Sequence, residues 1–490
     1  MITIQNALIA VGVGEDGAID YQTATVQIQE DRIVAIQLDS ANGNNQNGLE
    51  SSSESGGEVV DGRDKLLLPG FVNAHTHSSE LWQRGLVPPL PLELWIADLY
   101  DFTPLDPEQV YLSAIGTAVE TLLSGGTSVV DHLVLIPGQE RETVAAAVRG
   151  YREVGIRAFI GPLIQDQSLP AGIPTKGTEV QVADYLRATQ ATLELMADVV
   201  SAHHRPEEGI SVLVAPTGIQ LCSDELFQGC IELSNQHNLC RHAHLLETRA
   251  QQLLAQEKYG CSAVEHLERI GYLGERTSLA HCVWLSEADL EIMARTRSTV
   301  VHNPLSNLRL GSGIAPVLKY RALGVNVSFG CDGAASNDGQ DMLEAIKIGS
   351  ILHNITDPDY HNWITPFEAI QMASAGGAKG LGLADQMGSL SVGQKADLVL
   401  YDLNNLSLLP RTDPVGLLVL GRPTNVVHSA WVDGKQIVTA GSVQTSSVER
   451  LREELIRYSG YHKDRTVQGR PLVEARYREV MGLPLVHGYS

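Results

Sequence analysis

Between residues 66 and 334 the chain alternates eight times between a short apolar run and a longer segment of helical spacing. The runs are LLLPGFVNAHTH (66–77), TSVVDHL (127–133), IRAFIGPLI (156–164), ISVLVAPTGI (210–219), CRHAHLLE (240–247), TSLAHCV (277–283), STVVHNP (298–304) and VNVSFGCDGA (325–334). Strands with one wet face alternate polar and apolar residues, so continuous apolar runs indicate parallel strands buried on both faces. The segments between them carry helical periodicity, as with Leu226, Cys230 and Leu233 in DELFQGCIELSNQHN. Eight successive strand–helix units predict an α/β chain folded as a (β/α)8 barrel rather than an open doubly wound sheet.

The flanks have a different texture. MITIQNALIAVG, ATVQIQ and RIVAIQ near the start, and GSLSVGQKADLVLYDL and VVHSAWVDGKQIVTAG after the barrel, read as short alternating strands. Neither end has enough of them for a domain of its own. Residues 1–65 and 388–446 are therefore expected to pair into one composite β-sandwich beside a barrel of residues 66–387. The stretch between Ser40 and Gly57 is too polar to bury a core and reads as a flexible surface insertion. The tail, 447–490, carries two charged amphipathic helical stretches, VERLREELIRYSG and LVEARYREVMG, expected to pack on a surface or partner.

Composition excludes several classes of partner. With 35 basic and 58 acidic residues the formal charge is −23, which argues against nucleic acid and anionic membrane surfaces. No apolar run approaches the roughly 18–20 residues of a membrane span. MITIQNALIA does not resemble a secretory signal, and the six cysteines form no CxxC pair, so a cytoplasmic protein with buried thiols is expected.

The 16 histidines carry the chemistry, because several stand at the carboxyl ends of expected strands, where a barrel places its active site. The first run ends in His75-Thr76-His77. Residues i and i+2 of a strand project to the same side, so both imidazoles reach one ion. The fifth run supplies His242, His244 and Glu247, the sixth ends in His281, and the eighth carries Asp332. Three imidazoles and one carboxylate make an open, catalytic type of metal site, and on Zn²⁺ a bound water has its pKa lowered to near 7. The fourth run ends in Ala215-Pro216-Thr217, with no lysine to bridge two ions, so a mononuclear site is expected.

LLPGFVNAHTH, HLLETRA, SLAHCVWLS, VVHNPLSNLRLGSG, GCDGAASND and GSLSVGQKADLVLYD together resemble the amidohydrolase superfamily. The branch is that of cytosine deaminase, guanine deaminase, methylthioadenosine/S-adenosylhomocysteine deaminase and the triazine chlorohydrolases, and the likeness covers nearly the whole chain. The resemblance implies a distorted barrel with a composite β-sandwich, Zn²⁺ or Fe²⁺ held by His75, His77, His244 and Asp332, and a homodimer or larger homo-oligomer. It also implies Glu247 as proton shuttle and His281 as the group that polarises the attacked centre or the water. Asp332, beside the water, is suited to take its proton. Trp95, Thr217, Gln220 and Asn303 are expected to face substrate, and His132 stands either behind the ligands or in a structural hydrogen bond.

Trp95 keeps the spacing seen in the methylthioadenosine/S-adenosylhomocysteine deaminases, 20 residues after His75. DFTPLDPEQV has no clear match to their Pro-x-Glu motif, and Thr217 stands where they carry a histidine. These departures favour a smaller base or heterocycle over a nucleoside. The expected activity is hydrolysis of a non-peptide C–N bond of a purine-, pyrimidine-, pterin- or triazine-like ring, with release of ammonia. A chlorohydrolase or an amide or urea hydrolase is the alternative, and an inactive scaffold a minor one.

Overall fold

A computed structural model describes residues 1–15, 17–39, 57–102, 105–174, 187–445, 447–458 and 469–484. Residues 40–56 of the expected insertion lie outside the described residues.

The first apolar run divides at Gly70. Lys65–Pro69 joins a sheet built from both ends of the chain, while strand β1 (Phe71–Thr76) opens a parallel array. A Cβ at Gly70 would lie 2.1 Å from Thr127 Oγ1, so the chain passes this point only as glycine. Strands β2 (Gly126–Val134), β3 (Arg157–Ile164), β4 (Ile210–Val212) and β5 (Ala215–Pro216) complete the first parallel sheet, in the order β5-β3-β2-β1 with β4 also on β3. Strands β6 (Arg241–Leu245), β7 (Thr277–His281), β8 (Thr299–His302) and β9 (Val327–Phe329) form the second, in sequence order. All residues of β2 except Val134 are buried, as a strand covered on both faces requires.

The fourth run is two short strands rather than one, because it changes partners midway. Leu213 N bonds to Ile160 O on β3, whereas Val214 N bonds to Cys240 O and His242 N returns to Val214 O. A parallel bridge, Val214 to Arg241, thus connects the two sheets. At the other side Asp332 N bonds to His75 O at 2.9 Å, just beyond β9. The carboxyl ends of β1, β6 and β7 and the loop after β9 consequently meet at one place.

Helices begin where side chains cap them. Asp106 and Gln109 form a capping box with Pro107 in the first turn, and Ser223, Thr248, Ser262 and Ser286 each accept from a backbone N–H three residues on. Each buried Leu, Ile or Val beneath these helices contributes about 1.5–3 kcal/mol.

Strands from both ends share one nine-stranded sheet, in which Lys65–Pro69 pairs with Leu398–Asp402. Ile4, Ile28, Ile33, Leu67, Leu398, Leu400 and Trp431 pack together on it. Arg157, at the start of β3, fastens this sheet to the parallel array through Asp397 at 3.0 Å and Asp433 at 2.5 Å. The helix Ser447–Tyr458 packs on the helix Pro107–Leu123. The helix Gly469–Val480 lies along the helix Leu92–Tyr100, with Val473 and Tyr477 against Leu94 and Ala97. Among the described residues no helix is long and apolar enough to cross a membrane.

Candidate metal centre

His77 Nδ1 donates to His132 O at 2.6 Å, and His244 Nδ1 donates to Thr217 O at 2.7 Å. A carbonyl only accepts, so each ring holds a proton on Nδ1, and in its neutral form each leaves a lone pair on Nε2. Those two Nε2 atoms stand 3.2 Å apart. Burial pushes the His244 pKa well below the usual imidazole value, so that ring is neutral. Two lone pairs at this separation repel unless a cation lies between them.

Two more donors converge there. Asp332 Oδ1 lies 3.5 Å from His77 Nε2 and 3.3 Å from His75 Nε2, and the latter is buried with no hydrogen-bond partner. Two triads whose ligand atoms lie within 4.8 Å of one another share His75: His75, His77 and Asp332, and His75, His132 and His244. Imidazole nitrogens and a carboxylate oxygen fit a divalent metal ion. His132 Nε2 donates to Ala215 O at 2.9 Å, leaving its Nδ1 buried and unpartnered beside this cluster.

Contacts around the donors hold parts of the backbone in a strained form. Leu246 (φ 46°), His281 (φ 72°), Cys282 (φ 51°) and Asp332 (φ 64°) all occupy the left-handed region at strand ends. Such conformations cost about 1 kcal/mol or more each and persist where surrounding contacts impose them. At Asp332 the contacts are visible: its N–H donates to His75 O at 2.9 Å, and its carbonyl accepts from Thr76 Oγ1 at 3.0 Å and Gln340 Nε2 at 2.6 Å. Burial alone would raise the Asp332 pKa, but His75, His281 and His77 outweigh it and hold the carboxyl well below the usual range.

Beside the donors, Glu247 Oε2 lies 3.5 Å from His281 Nε2, which is 3.8 Å from Asp332 Oδ2. Burial pushes the Glu247 carboxyl up to about 7, the range in which one group both takes and gives a proton. Asn307 Oδ1 accepts from His281 Nδ1 at 2.9 Å, and Ser312 Oγ donates to Glu247 Oε1 at 3.0 Å. Glu80 is a second buried carboxyl raised to about 7 by desolvation, held by Ala335 N at 3.2 Å.

His77, Glu80, Trp95, Thr217, Gln220, His244, Glu247, His281 and Asp332 line a cleft of about 80 Å³. It adjoins a cavity of about 510 Å³, with Glu80, Leu99, Tyr100, Val134 and Leu163 common to both linings.

Residues 66–437 match the family model described as the amidohydrolase family. The chain belongs to the amidohydrolase family. This amidohydrolase is 31% identical over 464 residues to a 5'-deoxyadenosine deaminase of Methanosarcina barkeri, covering 92% of this chain and 96% of the relative. It is 33% identical over 397 residues to a 5-methylthioadenosine/S-adenosylhomocysteine deaminase of Syntrophobacter fumaroxidans, covering 80% and 84%. Its fold is similar to that of the atrazine chlorohydrolase of Arthrobacter aurescens TC1 solved with zinc, with a TM-score of 0.82, 23% identity, and coverage of 94% of this chain and 100% of the other.

The residues named from the sequence do not all stand alike in this amidohydrolase. His75, His77, His244, Asp332, Glu247 and His281 come together, and Trp95, Thr217 and Gln220 reach the cleft wall. Asn303 is not among the residues lining the cleft. It is fully buried, with Nδ2 3.5 Å from His281 Nδ1, on the side of that ring away from Glu247. Sequence reasoning missed Asn307, Ser312 and Glu80. Asn307 and Ser312 lie within the HNPLSNLRLGSG stretch already singled out, and Glu80 follows His77 by three residues, the interval that separates Glu247 from His244.

Proposed function

We propose that the protein is a mononuclear, metal-dependent aminohydrolase that hydrolyses the exocyclic C–N bond of an amino-substituted nitrogen heterocycle and releases ammonia. The observation that carries this reading is the pair of lone-pair-bearing Nε2 atoms of His77 and His244, 3.2 Å apart, beside Asp332 and the Glu247–His281 pair. His75, His77, His244 and Asp332 would hold the ion, with zinc preferred to ferrous iron, in keeping with the zinc in the chlorohydrolase of similar fold. When bound, the ion supplies activation of water at neutral pH.

The chain's own groups account for the proton traffic. Asp332 Oδ2 accepts a proton from the attacking water as the new C–O bond forms. Glu247 Oε2 gives a proton to the ring nitrogen next to the attacked carbon, which takes up the electron pair of the C=N bond. His281, whose Nδ1–H is held by Asn307 Oδ1, turns its Nε2 lone pair toward the attacking oxygen and accepts a hydrogen bond from its O–H. The second proton of that oxygen then passes by way of the carboxylates to the exocyclic nitrogen. The C–N bond breaks, ammonia departs, and the ring keeps a carbonyl and an N–H. Water and substrate are thereby fully accounted for.

The relatives' names support an adenine-type ring in the cleft. The architecture we propose around it is a distorted (β/α)8 barrel over 66–387 and a composite β-sandwich of 1–65 and 388–446, supported by the shared nine-stranded sheet and the similar fold. The tail we assign from residue 447 carries the helices Ser447–Tyr458 and Gly469–Val480. The test is ammonia release from the metal-loaded protein across adenine, 5'-deoxyadenosine, guanine, cytosine, a pterin and an aminotriazine. Ammonia from at least one ring is expected. Silence across the panel, with chloride or amine released from substituted triazines or ureas, would replace the aminohydrolase with a dehalogenase or amide hydrolase.

A further inference from the structure

His75 is the one proposed ligand whose second ring nitrogen meets a side chain rather than a backbone carbonyl. Its Nδ1 lies 2.8 Å from His242 Nε2, and His242 Nδ1 lies 2.7 Å from Ser278 Oγ. Ser278 Oγ in turn reaches Arg241 O at 3.4 Å. His75 and His242 are fully buried and Ser278 nearly so. With an ion on His75 Nε2 such a chain carries its protons in one direction only. If His75 Nε2 offers its lone pair to an ion, the ring proton sits on Nδ1 and is donated to His242 Nε2. His242 must then carry its own proton on Nδ1 and give it to Ser278, whose hydroxyl points on to the carbonyl. Without an ion the opposite direction also closes, with His75 Nε2–H facing Asp332 Oδ1 at 3.3 Å.

We infer that His242 is a positioning residue for the metal centre: accepting from His75 Nδ1, it holds that imidazole in the form whose Nε2 lone pair faces the ion, with Ser278 orienting His242 in turn. The inference rests on the metal reading above. An acceptor on the far nitrogen of a ligating imidazole fixes its tautomer and ring plane and raises its basicity, and loss of such a partner typically weakens metal binding about 10–100-fold.

The experiment measures Zn²⁺ affinity of the full chain by competition with a chromophoric chelator, for the parent, His242→Leu and His242→Gln. His242→Leu removes the acceptor and is expected to bind Zn²⁺ about 10–100-fold more weakly. His242→Gln restores an acceptor oxygen and is expected to recover most of that loss. A second measurement needs no substitution: imidazole ¹⁵N spectra of the zinc-loaded parent should show His242 protonated at Nδ1 and bare at Nε2. A filler role in the core would move neither that spectrum nor the difference between Leu and Gln. Zn²⁺ affinity of His242→Leu within about threefold of the parent, or a zinc-loaded His242 protonated at Nε2, would overturn the inference. A parent that binds no Zn²⁺ would instead overturn the metal reading itself.

Discussion

Glu247 Oε2 stands 3.5 Å from His281 Nε2, and each is held from behind, Glu247 by Ser312 Oγ and His281 by Asn307 Oδ1. His281 ends β7 and pairs with Leu245 at the end of the adjacent β6, and Glu247 follows two residues later. Glu247→Gln keeps the shape and removes the titrating proton. It is expected to retain the metal and lose roughly 10²–10⁴-fold in kcat, as for removal of a general acid–base group. Metal content and ammonia release on the same sample check this, and turnover within about tenfold of the parent would remove Glu247 from the proton path.

Asn307 acts on His281 without touching the cleft. Asn307→Leu leaves His281 Nδ1 without its acceptor at 2.9 Å. The expected outcome is a fall in kcat of roughly 10-fold or more with KM changed little, because the interaction serves a group that works in the transition state. Steady-state kinetics separate this from a binding defect, in which KM would rise and kcat would hold.

Trp95 lines the cleft and is fixed by Nε1 donating to Ala335 O at 3.3 Å. A flat heterocycle gains area and stacking from such a wall, so Trp95→Leu is expected to lower kcat/KM roughly 10-fold, about 1.4 kcal/mol, mainly through KM. Unchanged kcat/KM would place the ring elsewhere in the cleft.

Part of the acid sensitivity comes from histidines that the site does not use. His302 Nε2 and His353 Nε2 lie 3.2 Å apart. Burial holds His302 well below the usual imidazole value and lowers His353 to about 4. Below pH about 6.5 the unfolded chain takes up protons at these positions that the folded chain refuses, so the unfolded state binds more protons and stability rises with pH. Stability is therefore full above about 6.5 and is lost as pH falls from there toward 4. His353→Gln is expected to flatten that slope, measured as the denaturation midpoint between pH 7 and 4.5. Parallel slopes in the two proteins would contradict it.

Much of this was legible before any coordinates. Strands buried on both faces leave apolar runs, so the parallel array could be read directly, and His75, His77 and His244 stand out because ligands gather at strand ends. What escaped reading depends on contacts between distant segments. The division of the first run at Gly70 follows from the nearness of Thr127, and the break in the fourth from the change of partner at Val214. The left-handed backbone at His281 and Asp332 is favoured by tertiary contacts that a local reading of the sequence does not contain. Asn303 reads as a substrate contact because it follows a strand end, yet the next turn carries Asn307 to His281 Nδ1 and leaves Asn303 on that ring's far side from Glu247. The His75–His242 contact joins residues 167 positions apart, and nothing in HAHLLE distinguishes a ligand from its support.

The reading of the paired His77 and His244 Nε2 atoms, with Asp332 beside His77, as a metal centre has its most direct test in a titration. Metal-free protein is supplied with increasing Zn²⁺, and ammonia release from the best ring of the panel is followed at each addition. Activity is expected to be absent at the start, to rise in proportion to added ion, and to break sharply at one equivalent per chain. Full turnover by the metal-free protein, or a rise that continues to two equivalents, would contradict a single metal ion as the centre of this site.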